Sequence, residues 1–256
     1  MAILEIRNIT KRFGGIVALQ EVSLSVDKGG VVAIIGPNGS GKTTLLNVIT
    51  GVYVPEEGEV LLNGNCIQSL SPEKVCKVGI SRTFQNIRLF KKLTVLENVM
   101  IGSHKLYKRG LTEIIISTKG FKQEQEQHKK RAMELLEFVG LKGKEGVKPE
   151  NLPYASQRFL EIARALASEP QVLLLDEPAA GMNAVEIEHL IELIKKLSKT
   201  GITILLIEHI MGLVREVTDS VVVLSYGEKI AEGNYEDIEK NTAVIEAYLG
   251  KGAIKC

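Results

Sequence analysis

Val31-Val32-Ala33-Ile34-Ile35-Gly36-Pro37-Asn38-Gly39-Ser40-Gly41-Lys42-Thr43-Thr44 is the stretch on which the fold of this chain turns. Its first five residues form an unbroken apolar run, the pattern of a strand covered on both faces. The next eight fit G-x-x-x-x-G-K-[ST]. Residues 43–50 then have the composition of a helix. Strand, glycine-rich loop and helix in that order make a cradle for phosphate. Glycines let backbone N–H groups converge on the oxygens, and the helix start adds the positive end of its dipole. By spacing, Lys42 brings a full positive charge to the β- and γ-phosphates, the Thr43 hydroxyl is set to ligate Mg2+, and Thr44 is set to hold the α-phosphate. No guanine-reading motif occurs, so the expected ligand is ATP with magnesium.

Working outward, further short apolar runs occur at residues 172–175, 202–207 and 221–224. Helical periodicity lies between them: Phe159, Ile162, Ala163 and Leu166 recur at i, i+3, i+4, i+7, as do Ile187, Leu190, Ile191 and Ile194. Strands alternating with helices predict an α/β fold around a parallel sheet. The N-terminal part differs. Segments 4–6, 18–26 and 59–62 are β-like and are punctuated by Gly14-Gly15, Gly29-Gly30 and Asn63-Gly64, which predicts an antiparallel addition. Residues 86–158 read as mostly helical. Thr94 and Glu97 form a capping box there, and Ala132, Leu135, Leu136 and Val139 an apolar stripe. The run 122–131, nearly all charged or Gln, is expected to be a solvated helix face. Residues 242–249 read as a last helix packed on the body.

The run at 172–175 ends in Asp176-Glu177. An acid at the end of a strand beside the loop can reach the metal shell, and this is expected of Asp176. Glu177, one residue on, points elsewhere and can polarise an attacking water. In-line attack on a γ-phosphate depends mainly on positioning and charge stabilisation, with a general base adding about 10²–10⁴ in rate. His209 follows the run at 202–207, which would carry it to the same sheet edge. His104, His128 and His189 lie in polar surroundings and read as surface residues.

The 256 residues are 45% apolar and 25% charged, with a net charge of only +1. That is enough for a substantial core and gives no long-range pull toward nucleic acid or an anionic membrane. Cys66, Cys76 and Cys256 are far apart, which argues against a disulfide or metal framework and for a reducing cytosolic setting. The N-terminus lacks signal-peptide character, and no run approaches the roughly 18 apolar residues that cross a bilayer.

Taken together, the motifs resemble the nucleotide-binding subunits of ABC transporters over nearly the whole chain. The phosphate loop, Gln85 within Arg82-Thr83-Phe84-Gln85-Asn86, the strand end Asp176-Glu177-Pro178 and His209 follow the family's order and spacing. The resemblance implies a P-loop NTPase (RecA-like) α/β core with a parallel sheet, an antiparallel N-terminal β-subdomain and an inserted helical subdomain. It implies one nucleotide-binding domain over 1–256, with 1–85 and 159–256 as the ATP-binding core and 86–158 as the helical part. It also implies roles. Phe13, in Lys11-Arg12-Phe13-Gly14-Gly15, would stack on adenine. Gln85 would contact magnesium or the water and report nucleotide state. Asp176 would hold magnesium, Glu177 would be the catalytic carboxylate, and His209 would hold the γ-phosphate and water. Two such subunits would sandwich two ATPs, each between one subunit's loop and the other's signature segment. Partners would be transmembrane permease subunits, a second ATPase subunit and, indirectly, a solute-binding protein, at the cytoplasmic face of the membrane.

Arg82 to Phe90, Leu93-Thr94-Val95-Leu96-Glu97-Asn98, the run from Asp176 through Asn183, and Ile207-Glu208-His209 resemble the branched-chain amino-acid importer subfamily. The length and the charged segment near 105–130 suit the longer of its two ATPases. The signature departs from the family's Leu-Ser-Gly-Gly-Gln: here it reads Leu152-Pro153-Tyr154-Ala155-Ser156, with Tyr154, Ala155 and Ser156 facing the partner's nucleotide by resemblance. Pro153 brings neither hydroxyl nor N–H. Asn183, where most of the family has Asp, is a milder departure. The competing reading is a low-turnover regulatory subunit, or an ABC ATPase for another solute. An ATPase acting on DNA or ribosomes lacks the basic excess, second cassette and coiled-coil insert it would need.

Overall fold

The computed structural model describes residues 1–106 and 119–249. The chain divides into two compact units, Met1–Arg82 with Gln171–Cys256, and Thr83–Pro170.

The first unit contains both sheets. Strands β1 (Ala2–Phe13), β2 (Ile16–Asp27), β4 (Glu57–Leu62) and β5 (Asn65–Cys66) form an antiparallel sheet in the order β2-β1-β4-β5. The second sheet takes β3 (Val31–Ile35), β6 (Ile80–Arg82), β7 (Val172–Asp176), β8 (Thr203–Ile207), β9 (Ser220–Ser225) and β10 (Glu228–Gly233) in the order β10-β9-β3-β8-β7-β6. Neighbours from β9 to β6 run parallel, and β10 pairs antiparallel at the edge. All four apolar runs of the sequence are strands of this sheet, and β3, β7 and β8 are buried at every position. That burial on both faces is why they carry no polar alternation.

Three strands escape the sequence reading for physical reasons, the first being β5, whose two residues are too few to carry a pattern. β6 is only three residues long and ends on Arg82, and β10 carries Glu228, Lys229 and Glu232 on an exposed edge. β1 also runs well beyond the expected 4–6, and β2 extends the expected 18–26 slightly at both ends. Register shifts let them continue past charged positions while Leu4, Ile6 and Ile9 stay in the core.

Helix α1 (Lys42–Ile49) starts at the end of the phosphate loop. Leu45, Leu46, Val48 and Ile49 join Ile6 and Val60 of the antiparallel sheet and Ile34, Leu174 and Leu205 of the parallel sheet in one hydrophobic cluster. A helix apolar on most sides belongs inside, and this one is held by side chains of both sheets. In the helix Ala184–Lys199, Leu190, Leu193, Ile194 and Leu197 are buried. Ile187 and Ile191, expected on the buried face, are half-exposed, and Leu193 and Leu197 take their place. Asn183 caps this helix by accepting from Glu186 N at 3.1 Å, so its amide serves where an acid is common. The helix Thr242–Leu249 packs through Val244.

The second unit is helical, with Val95–Gly102, Lys119–Phe138 and Tyr154–Leu166. The Thr94–Glu97 capping box forms, with Glu97 N donating to Thr94 Oγ1 at 3.2 Å and Thr94 N to Glu97 Oε2 at 2.7 Å. Ala132, Leu135, Leu136 and Val139 are buried, and residues 123–131 lie on the wet face. Asn98 is fully buried. It accepts from Phe90 N at 2.9 Å and donates to Phe90 O and Thr94 O at 3.1 and 2.9 Å. His104 and His189 are exposed and His128 is half-buried. Cys66 is exposed and Cys76 half-exposed. Cys256 and much of the charged segment near 105–130 lie outside the described residues.

Leu205→Ala should cost about 2–5 kcal/mol by opening a cavity in the shared core. Asn98→Ala should cost about 1–3 kcal/mol by leaving the Phe90 amide unpaired. Urea unfolding midpoints measure both.

Candidate functional site

The loop between β3 and α1 is built by close approach. Gly36 sits at φ 147°, and a Cβ there would lie 2.0 Å from the Leu224 carbonyl and 2.8 Å from Ser40 Oγ. Any side chain would push the loop off β9. Gly39 differs: its φ is 79°, yet nothing lies within 4 Å of where a Cβ would be. Glycine there answers a backbone requirement, not a packing one. The Ser40 carbonyl accepts from Gly227 N at 3.1 Å, which pins the loop to the β9–β10 hairpin.

Lys42 is nearly buried. Its ammonium folds over the loop and donates to Gly36 O at 2.8 Å, Pro37 O at 2.9 Å and Ser40 Oγ at 3.4 Å. Burial pulls its pKa below the usual lysine value, while the nearby Glu177 and Asp176 carboxylates oppose that shift. α1 has no side-chain cap, and Leu45 N is the first amide to reach back to Gly41 O, at 2.9 Å. The amides of Lys42, Thr43 and Thr44 therefore open away from the helix, an arrangement that suits an anion. Asn38 and Thr43 are exposed, and Pro37 and Thr44 are half-exposed.

The parallel pairing of β7 and β8 brings the acids and the histidine together. Asp176 lies opposite Ile207 in that register. Its side chain is buried and takes Arg82 Nη2 at 2.8 Å, while Arg82 Nη1 also donates to Asn47 Oδ1 at 2.7 Å. Glu177 adopts φ 48° and turns away from Asp176, with its N–H on Ile207 O at 2.9 Å. Its Oε1 meets His209 Nε2 at 2.7 Å. A carboxylate and an imidazole in contact, near a lysine at a phosphate loop, can orient a water and carry its proton.

Two residues of this neighbourhood carry roles that the sequence reading did not give them. In the sequence Glu208 stands out only as a member of Ile207-Glu208-His209; in the fold, burial pushes its carboxyl upward against three backbone N–H bonds that favour the charged form. Arg82 was likewise read only as the start of the Gln85 segment. A carboxylate beside His209 in an otherwise apolar strand end was the available signal.

Phe13, at the end of β1, is 42% exposed, enough to offer a face to a ligand. Tyr53 meets it edge-on at 5.1 Å, and the Lys11 ammonium lies 5.3 Å from its ring centre.

Gln85, Tyr154, Ala155 and Ser156 belong to the second unit. Pro153 is the N-cap of the helix Tyr154–Leu166, which has no side-chain cap bond. Tyr154 is exposed, Ala155 buried and Ser156 half-exposed. Arg158, on the same helix, donates to Phe84 O at 2.7 Å, to Gln85 O and to Tyr154 Oη at 3.0 Å. Buried Glu161 accepts from Arg88 N at 2.8 Å and pairs with Arg164 at 3.4 Å. The helix bearing the signature residues is thus bonded to the segment bearing Gln85.

Thr43 and Asp176 are hard oxygen donors, the kind magnesium selects. Among the described residues no group of three or more His, Cys, Asp or Glu side chains could hold a metal alone. A magnesium ion sharing its shell with nucleotide phosphates fits that donor set.

The family model described as ABC transporter matches residues 19–180, and one described as branched-chain amino acid ATP-binding cassette transporter matches residues 228–254. The high-affinity branched-chain amino acid transport ATP-binding protein BraF of Pseudomonas aeruginosa is 42% identical over 250 residues, covering 97% of this chain and 98% of that protein. LivG of Escherichia coli, described in the same words, is 41% identical over the same shares. Among solved structures, the ADP conformation of an ATP-binding cassette of an ABC transporter superposes with a TM-score of 0.86 at 36% identity, covering 98% of this chain and all of that one. A dimeric cassette in a post-hydrolysis state, bound to ADP and Pi, gives 0.77 at 31% identity, over 91% and 98%.

Gly36→Ala should abolish loop formation, whereas Gly39→Ala should retain it at a cost of about 1–2 kcal/mol. Thermal unfolding of the two variants tests this ordering.

Proposed function

This chain belongs to the ABC transporter family as an ATP-binding, ATP-hydrolysing subunit, and from that premise we propose that it energises the uptake of branched-chain amino acids through membrane permease subunits. The cargo reading draws on the transport that the names of BraF and LivG state and on the match at residues 228–254. Among the described residues no helix is long and apolar enough to cross a membrane. As the ATPase subunit of such a transporter, the chain would work at the cytoplasmic face, docked on the permease, with a second ATPase subunit and, at one remove, a solute-binding protein. A cassette dimer bound to ADP and Pi among its structural neighbours supports the pairing.

The contact between Glu177 and His209, beside a lysine that feels Glu177 and Asp176, carries the mechanistic reading. The residues from Gly36 to Thr44 hold the phosphates, with Lys42 moving from loop carbonyls to phosphate oxygens. Phe13 receives the adenine. Thr43 and Asp176 would hold magnesium, which when bound would neutralise charge on the β- and γ-phosphates. Glu177 orients the attacking water, and His209 steadies Glu177 and the γ-phosphate. Tyr154 and Ser156 face the nucleotide held by the partner's loop, whereas the Ala155 side chain, expected there too, is buried in its own unit.

Glu177→Gln should keep nucleotide affinity, lower turnover by 10²-fold or more, on the order expected for loss of a general base, and form an ATP-dependent dimer alone or with its sister subunit. Steady-state hydrolysis and size-exclusion chromatography read the two effects. Failure to dimerise under both conditions would refute the assembly. Lys42→Ala should remove both affinity and turnover.

Phosphate favours charged Lys42, while burial in the loop lowers its pKa. Binding should therefore take up a proton where the empty loop leaves Lys42 partly neutral. Affinity should fall as pH rises through that lowered value, earlier than for an ordinary lysine. Calorimetry in buffers of different ionisation enthalpy measures the uptake.

A further inference from the structure

Glu208 lies one residue before His209 with its side chain turned inward, 2% exposed. A carboxylate that deep must be compensated, and here backbone amides of two separate segments compensate it. Oε1 accepts from Ala179 N at 2.7 Å, two residues beyond Glu177. Oε2 accepts from His209 N at 3.0 Å and Ile210 N at 3.4 Å. One side chain thus ties the chain leaving β7 to the chain leaving β8.

The tie matters because Glu177 is held in an unusual conformation. A non-glycine residue at φ 48° persists only where its surroundings fix it. Its amide is anchored on Ile207 O at 2.9 Å, and its carbonyl accepts from Ala180 N at 3.2 Å. Glu208 fixes the peptide between those two anchors and also the turn from which the His209 ring projects. We propose that Glu208 is a positioning residue for hydrolysis, which by bridging Ala179 to His209 sets the separation at which the Glu177 carboxylate meets the imidazole. The inference rests on the roles given above to Glu177 and His209.

Glutamine is the informative replacement because it keeps the shape. It has one acceptor oxygen, so it satisfies Ala179 N or the pair at His209 and Ile210, and turns N–H donors on the other. One segment stays bonded and the other is released.

The test measures ATP hydrolysis by the full-length chain with Mg-ATP, with turnover expressed per nucleotide site titrated by a fluorescent ATP analogue. Glu208→Gln should lower kcat per site by about tenfold to a hundredfold, the scale of a small misplacement at a reacting centre. KM should stay within about twofold, since ground-state binding is untouched. On a His209→Ala background the same substitution should lower kcat by less than about threefold, because residues acting through one another are not additive. Unchanged kcat per site overturns the proposal. So does a loss of titrated sites with normal turnover at those remaining, which marks a structural role only. A full loss repeated on the His209→Ala background also overturns it. Glu177→Gln serves as the control. If it retains turnover, the reading of the site itself fails; if it loses turnover while Glu208→Gln keeps it, only the present proposal fails.

Discussion

The backbone at Gly36 passes so close to the Leu224 carbonyl that no Cβ fits between them. This steric constraint fixes where the phosphate loop leaves the sheet. β3 lies between β8 and β9, so the loop emerges at the carboxyl edge of the parallel strands. Ligand sites in open α/β sheets gather at that edge. α1 then enters a core supplied by both sheets, so its N-terminus is held by apolar burial and its first-turn amides stay available for an anion. Lys42 bonds to the loop's own carbonyls, so the charge meant for phosphate is already held within the loop.

The same edge organises the chemistry. Because β7 and β8 are parallel and in register, Asp176 and Ile207 end side by side, and the next residues on each strand are Glu177 and Glu208. Those two carboxylates face different environments. Glu177 reaches a part-exposed imidazole, while Glu208 is buried among backbone amides. Asp176 has a third environment, an ion pair with Arg82. Three carboxylates at the ends of two neighbouring strands are thus separated in role by what each can bond to.

In the second unit, Arg158 and Glu161 do comparable work on a different scale. They fasten the helix Tyr154–Leu166 to the backbone at Phe84, Gln85 and Arg88. Buried ion pairs add little net stability but are costly to break singly. Their consequence here is that the segment with Gln85 and the helix with the signature residues hold a fixed relation within that unit.

The sequence by itself determined the class of fold and the phosphate loop. Continuous apolar runs at 31–35, 172–175, 202–207 and 221–224, short and alternating with helical patterns, suit a sheet covered on both faces, and the loop's spacing is a local property of the chain. The Thr94 cap was legible for the same reason, since its partner lies three residues away. Tertiary structure alone decided which ends become neighbours. That Glu177 meets His209, that Arg82 pairs with Asp176, and that Glu208 faces Ala179 depend on a strand order that places β7 against β8 and β6 against β7. Residues tens of positions apart leave no periodic mark of such contacts. β6 and β10 were hidden too, because three residues ending in arginine and a charged edge strand form only where a neighbouring strand offers its hydrogen bonds.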